Sequence, residues 1–417
     1  MPLTIAAVRD LSAVQRRTVR SLASTQVLGG VGVSVGIAMA ALLAQELSGS
    51  PNLSGLAATA STLGAAVAAV PLAGLMARRG RRPGLMTGYL AGSAGSALAV
   101  VAAALGSYPL LLVGMLLFGA ATTSNLQARY AATDLAEPTH RGRALSVVVW
   151  ATTIGAVAGP NLVAPAGAMA TLLGLPRLAG PFLWSAIVFL LAGAVMGLLL
   201  RPDPLLLAQR HAADTDGPRP SARAALGVVR RTPRAALGLV GIAVGHMIMV
   251  GVMSLTPVHI HSGEHPGPDM LRLVGLVISV HVAGMYAFSP VVGWLADRFG
   301  RVWALAGAQG VLYTSLLLAG TAQADETVQL TAGLFLLGLG WSGCLVAGST
   351  LLSESVPIGV RAGAQGASDL VMGVCGATGG AFAGLVVGLA GYSGLNASAG
   401  VVLTLLTALT IGTACRK

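Results

Sequence analysis

The feature that most constrains this chain is a ladder of about twelve apolar stretches, each of twenty or more residues, with most of the charges in the segments between them. Roughly 20 apolar residues in a helix cross the ~30 Å hydrocarbon core of a bilayer. Within lipid every backbone polar group must be paired inside the segment, so runs of this length are read as helices. They are placed at 21–46, 53–77, 84–105, 109–134, 143–166, 180–200, 235–260, 271–296, 302–322, 328–354, 361–388 and 394–414. Only 9% of the 417 residues are charged, against about 25% in a soluble domain. The 57 glycines fit the same picture, because small residues let helices approach closely in lipid. The fold class expected is an all-α membrane protein of about twelve transmembrane helices.

The net charge of +11 does not point to nucleic acid. The cations fall in alternate loops: Arg9, Arg16, Arg17 and Arg20, then Arg78, Arg79, Arg81 and Arg82, then Arg141 and Arg143, the 201–234 segment, Arg298 and Arg301, Arg361, and finally Arg416 and Lys417. The opposite loops hold only Arg177 and Arg272. This alternation is the positive-inside signal and places both termini in the cytoplasm, in a plasma or inner membrane. The first apolar segment is too long for a signal peptide and reads as span one. Lys417 is the sole lysine, which excludes a Walker A phosphate loop and with it an ATPase motor in this chain. Cys344, Cys375 and Cys415 show neither CxxC spacing nor a secreted disulfide pattern. No nucleophile–base pair stands out, so the chain is not expected to be an enzyme or to carry a cofactor. Membrane lipid and a small ion or molecule are its expected partners, and it is expected to be a monomer.

Residues 201–234 form the one long polar stretch, rich in Pro, Asp and Arg, and read as a central linker. It separates an N-terminal half (1–200) from a C-terminal half (235–417). The halves repeat at a fixed offset of 219: Pro71 and Gly74 correspond to Pro290 and Gly293, Gly119 to Gly338, and Pro138 to Pro357. Arg141 matches Arg361 one residue further on. Such parallel repeats imply two pseudo-symmetric six-helix halves with a binding site between them near mid-membrane.

The segment GWLADRFGR, with Gly293, Asp297, Arg298, Gly300 and Arg301, resembles the loop signature of the major facilitator superfamily. The resemblance extends over essentially the whole chain and implies a secondary transporter working by alternating access. It assigns Asp297, Arg298 and Arg301 to a lock between helix ends. The first-half copy lacks the acid, with Arg78 or a gap in its place, so the lock is expected to be one-sided. In span five, Gly155, Gly159 and Pro160 resemble the Gly-Pro signature of proton-coupled antiporters, although its trailing Gly-Gly is replaced by Val163 and Ala164. The span-four arginine usual in drug antiporters is also missing, with Met115 at its position.

Span seven carries His246, Met249 and Met253, spaced i, i+3, i+7 on one helix face. Span eight carries His281 and Met285, also on one face. At ~1.5 Å per residue the two sets can reach the same depth. Thioether and imidazole together favour Cu(I) over hard cations. Methionine as a gap-filler is the simpler alternative, but ionisable histidines within a span are rare and usually functional. The MxxxM and HxxxM pairs resemble those of the copper-uptake (CcoA-like) transporters of the same superfamily, which implies copper as the transported ion.

At the outer end of span seven, His259, His261, Glu264 and His265 are read as an outer metal-capture cluster, with a solvated loop as the alternative. Asp369 in span eleven is the candidate proton-coupling site, since a carboxylate in a span must be protonated or paired. Asn125 and Arg129 in span four, Asn161 in span five and Gln26 in span one are read as polar groups lining the cavity or positioning the gate. Trp303 reads as an interfacial anchor. The leading expectation is inward copper transport, and the alternative is proton-coupled efflux of hydrophobic drugs or metabolites.

Overall fold

The computed structural model describes residues 5–50, 53–211, 222–261, 268–323 and 325–415. Among them the regular structure is helical throughout. The first half contains α1 (Ile5–Ser48), α2 (Gly55–Arg79), α3 (Arg81–Leu105), α4 (Tyr108–Ala131), α5 (Arg141–Leu172) and α6 (Gly180–Leu199). Two short helices, α7 (Pro204–His211) and α8 (Ala222–Arg231), occupy the central stretch. The second half contains α9 (Pro233–His261), α10 (Pro268–Tyr286), α11 (Ser289–Phe299), α12 (Arg301–Thr321), α13 (Thr327–Ser355) and α14 (Ile358–Ala414).

Eleven helical segments among the described residues are long and apolar enough to cross a bilayer. The last of them has 57 residues and breaks at Gly391 (φ 71°, ψ −178°), so it supplies two crossings and the total reaches twelve. Large side chains such as Leu105 and Leu389 stand 72% and 80% exposed, which only a lipid environment makes inexpensive. Span one begins well before the expected residue 21, because α1 continues back through the basic N-terminal segment. Span eight is two helices rather than one: Pro290, with no N–H to donate, stands in the first turn of α11 and ends α10 before it.

The hairpins α2–α3 and α11–α12 turn on Gly80 (φ 92°) and Gly300 (φ 95°), a conformation that favours glycine. They are equivalent positions of the two halves. The repeat extends to helix contacts. A Cβ at Gly119 of α4 would strike the Ser61 carbonyl of α2, and one at Gly338 of α13 would strike the His281 carbonyl of α10.

Two compact units partition the chain. The first comprises 1–137, 151–226 and 357–370, and the second 138–150, 227–356 and 371–417. The first turns of α5 therefore belong to the second unit, and the first turns of α14 to the first. Within the first unit α4 packs on α2 and α3, and α6 on α1 and α3. Within the second, α13 packs extensively on α9, α10 and α12.

Candidate functional site

Charge is scarce in these spans, so the ionised side chains that are buried mark where the fold spends free energy on something other than packing. In the first unit, Arg81 at the start of α3 is fully buried and bonded through Nε (2.7 Å) and Nη2 (3.1 Å) to Asp134. Its Nη2 also donates to Gln365 Oε1 at 2.6 Å. Deeper in the helices, Arg129 of α4 pairs with Asp369 of α14 at 2.7 Å, with side chains 1% and 2% exposed. Arg129 also donates to the Tyr130 hydroxyl (3.1 Å) and the Leu126 carbonyl. The second carboxylate oxygen of Asp369, Oδ2, is buried with no hydrogen-bond partner. Sequence reading flagged Arg129 and Asp369 separately; the pairing between residues 240 apart carries no local signal.

The second unit holds the counterpart of the Arg81 pair. Arg301 bonds Glu354 at 2.8 Å, and both positions lie 220 residues beyond Arg81 and Asp134. Asp297 accepts the backbone N–H groups of Gly142 (2.9 Å) and Arg143 (2.8 Å) and pairs with Arg301 at 2.9 Å. It thus caps the N-terminus of α5, where a carboxylate is favoured by the free N–H groups and the helix dipole. Arg301 also donates to the Pro138 carbonyl. The expected lock residues Asp297 and Arg301 are therefore joined, whereas Arg298 is exposed and outside this network. In the first unit the carboxylate on the signature loop comes instead from Asp203, which accepts the Arg82 N–H at 2.7 Å and caps the start of α7.

Gly155 and Gly159 lie where α5 meets α1: a Cβ at Gly155 would fall 2.6 Å from the backbone at Gly30 and Val31, and one at Gly159 would fall on Ser34. Ser34 Oγ donates to the Gly155 carbonyl at 2.9 Å. The side chain of Pro160 lies outside the described residues. Asn161 donates to Val157 of its own helix at 2.8 Å. Asn125 is tied to the Tyr89 hydroxyl at 2.7 Å, and Gln26 to Thr152 at 3.1 Å.

The five residues expected to converge on a metal are divided between two helices, α9 and α10. α9 and α10 each pack along α13 far more than against each other. His246 of α9 takes a hydrogen bond at Nδ1 from Trp341 Nε1 of α13 at 3.1 Å. An indole N–H can only donate, so the Nδ1 lone pair is occupied, and in neutral imidazole Nε2 then carries the proton. That removes His246 as a ligand in this arrangement. His281 of α10 is opposite in character. Its Nδ1 is 2.8 Å from the Leu334 carbonyl, which can only accept. Its Nε2 therefore presents a lone pair, and that atom is buried without a partner. The α13 positions engaged, 334 and 341, are seven residues apart, about 10 Å along the axis. Met249 and Met285 are buried and Met253 half-buried. His281 and His246 thus engage α13 about 10 Å apart along its axis, and the imidazoles have different duties.

Trp341, which the sequence reading passed over, is the hub of this region. Its ring meets Tyr286 edge-on at 5.7 Å and His246 at 6.2 Å, and a Cβ at Gly376 of α14 would press on His246 at 2.6 Å. The signal available was a lone Trp set in a glycine-rich run, GLGWSG. At the outer end, His259 bonds the Ala322 carbonyl at 3.1 Å and stacks on Tyr392 at 4.2 Å, so it is committed to packing. The His261 side chain, Glu264 and His265 lie outside the described residues. Among the described residues no group of three or more His, Cys, Asp or Glu side chains forms a metal cluster.

Comparison with known proteins agrees with this architecture. The MFS-type transporter YddS of Bacillus subtilis is 39% identical over 94% of this chain and 89% of its own length. The riboflavin transporter RfnT of Brucella anthropi is 29% identical over 91% of this chain and 92% of its own. Among solved structures, a bacterial homologue of the iron transporter ferroportin superposes with a TM-score of 0.73 at 12% identity, covering 96% of this chain and 100% of that one. The human organic anion transporter MFSD10 gives 0.72 at 16% identity, over 95% and 99%. At such identities these two speak to the fold alone. Residues 22–271 and 270–413 match the Major Facilitator Superfamily, and this multi-pass membrane transporter belongs to it.

Proposed function

We propose that the chain is a proton-coupled carrier of a small planar heteroaromatic solute. The observation that carries the reading is the His246–Trp341–Tyr286 set, three ring side chains from α9, α13 and α10 gathered in the second unit. Aromatic faces favour offset and edge-on contact with another ring. The full-length likeness to a riboflavin transporter supports a solute of this class. Asp369 supplies the coupling: a proton arriving on its free Oδ2 neutralises the partner of Arg129, and the pair that holds the start of α14 in the first unit is released. One proton moved through 100 mV provides about 2.3 kcal/mol. The same coupling serves uptake or efflux, because the gradients set the direction.

The test is solute counterflow in proteoliposomes with riboflavin, nicotinate and related heteroaromatics, paired with binding read from tryptophan fluorescence. Trp341→Ala should abolish binding, and Asp369→Asn should leave counterflow but abolish accumulation driven by a pH gradient. Binding that is unchanged in Trp341→Ala rejects the reading.

A second reading keeps copper as the transported ion. It is favoured by the buried lone pair of His281 Nε2, with Met285 one turn away on the same face. Copper accumulation in cells that falls to background in both His281→Ala and Met285→Ala, while His246→Ala transports normally, would support it. Uptake unchanged in the first two discards it.

A further inference from the structure

An apolar groove lies within the second unit, beside the Asp297–Arg301 loop. It has a volume of about 840 Å³ and is walled by Phe288, Val291, Leu295 and Phe299 on one side and Trp303 and Gly307 on the other. Leu339 and Gly343 of α13 form its floor. The walls are firm: Phe288 meets Phe335 edge-on at 5.6 Å, and Phe299 meets Trp294 at 6.2 Å. Gly307 keeps the α12 wall open, since a Cβ there would meet nothing within 4 Å.

Three observations say what fills it. From residue 288 to 299 the groove runs eleven residues, about 17 Å along the helix. That is about half of the ~30 Å hydrocarbon core, or one leaflet. It starts at the arginine-rich end of the span, where Trp303, 68% exposed, is placed as an indole at the headgroup level would be. At that mouth Arg298 is exposed and outside the Asp297–Arg301–Glu354 network, beside the N-terminus of the 21-residue helix α12. The nearby acids are already paired, so the mouth presents uncompensated positive charge to an apolar slot one leaflet deep.

We propose that this groove is a binding site for an anionic phospholipid. One acyl chain lies along α11 and α12, and the phosphate and acidic headgroup are held at Arg298 and the first turn of α12. The lipid clasps the α11–α12 hairpin, whose Asp297 and Arg301 close on α5, so it is set to stabilise that closure.

The test uses the full chain in nanodiscs of phosphatidylglycerol and phosphatidylethanolamine, with retained lipid counted by native mass spectrometry after release. Wild type should retain close to one phosphatidylglycerol per chain, preferred several-fold over phosphatidylethanolamine. Arg298→Gln should lose the preference and keep the lipid, and Gly307→Leu should lose retained lipid altogether. Arg17→Gln and Gly310→Leu, an exposed cation and an open glycine outside the groove, should behave as wild type and control for general charge loss and misfolding. Equal retention of both lipids by wild type overturns the proposal. So does unchanged retention in Gly307→Leu, or a lipid-free dimer, which would make a second copy of the chain the occupant.

Discussion

The Arg129–Asp369 pair allows a prediction in which the two single substitutions differ for a reason of chemistry. Both side chains are at most 2% exposed and bonded at 2.7 Å. Removing either partner strands the other, and breaking a buried pair costs about 3–5 kcal/mol. The stranded groups are not equivalent. Asp369→Asn leaves a guanidinium, which cannot shed its proton. Arg129→Met leaves a carboxylate, which can be neutralised by taking one up. A variant that binds one extra proton on folding loses about 1.4 kcal/mol of stability for each pH unit of increase. Between pH 5.5 and 7.5 the Arg129→Met defect should therefore grow by roughly 2.7 kcal/mol, being mildest in acid. Over the same range the Asp369→Asn defect should follow wild type in parallel, lower by about 3–5 kcal/mol. The double variant Arg129→Met/Asp369→Asn buries two neutral groups and should be more stable than Asp369→Asn alone. Equilibrium unfolding of purified protein in mixed micelles across this pH range measures all four. An Arg129→Met curve parallel to wild type, or an Asp369→Asn protein as stable as wild type, refutes the reasoning.

Other outcomes follow from the same geometry. Asp297→Asn keeps the shape of the α5 cap but removes its charge, and should cost about 1–2 kcal/mol in unfolding; a loss below 0.3 kcal/mol would show that the dipole and the charge-assisted bonds matter little here. Gly338→Val should abolish correctly folded protein, because its Cβ alone would come 2.8 Å from the Met285 nitrogen. Gly400→Val, where a Cβ meets nothing within 4 Å, should express and elute as wild type. Trp341→Phe keeps a ring but loses the N–H given to His246, and should weaken solute binding about tenfold, near 1.4 kcal/mol, against complete loss in Trp341→Ala; equal affinity in wild type and Trp341→Phe by fluorescence-independent calorimetry would place the solute elsewhere.

How much of this was legible in the sequence depends on the range of the interaction. Spans could be read because each is decided locally, by whether twenty residues can lie in hydrocarbon. The repeat could be read because identical local solutions recur, as at Gly80 and Gly300. Side-chain function was legible only as residue type. Histidine in a span marked His246 and His281 equally, yet Trp341 and the Leu334 carbonyl give their ring nitrogens opposite roles. Face alignment on one helix says which residues share a side, and not which helix that side meets. Here α13 is the principal neighbour of both α9 and α10, a fact of topology with no imprint in the spacing of Met249, Met253 or Met285.

The two Arg–carboxylate pairs bear on how a repeated fold becomes a directional device. Arg81–Asp134 and Arg301–Glu354 are the same bond, built twice by the same hairpin at the same sequence separation. Their surroundings have diverged. Arg301 shares its guanidinium with Asp297, itself bound to the first N–H groups of α5, and its side chain is 10% exposed. Arg81 has no acid at the equivalent loop position, is fully buried, and reaches the neutral Gln365 instead. The Arg301 network keeps one carboxylate, Glu354, 23% exposed, so water reaches one edge of it and replaces part of what a broken bond loses. A fully buried arginine cannot be hydrated without moving the helices around it, so breaking it costs the larger penalty of an uncompensated charge. The two ends of the repeat therefore present different barriers to the same local motion. The Arg129–Asp369 pair, with its one free carboxylate oxygen, lies on the side where the barrier is higher. A protonation event has most leverage where the barrier is electrostatic and water cannot reach it.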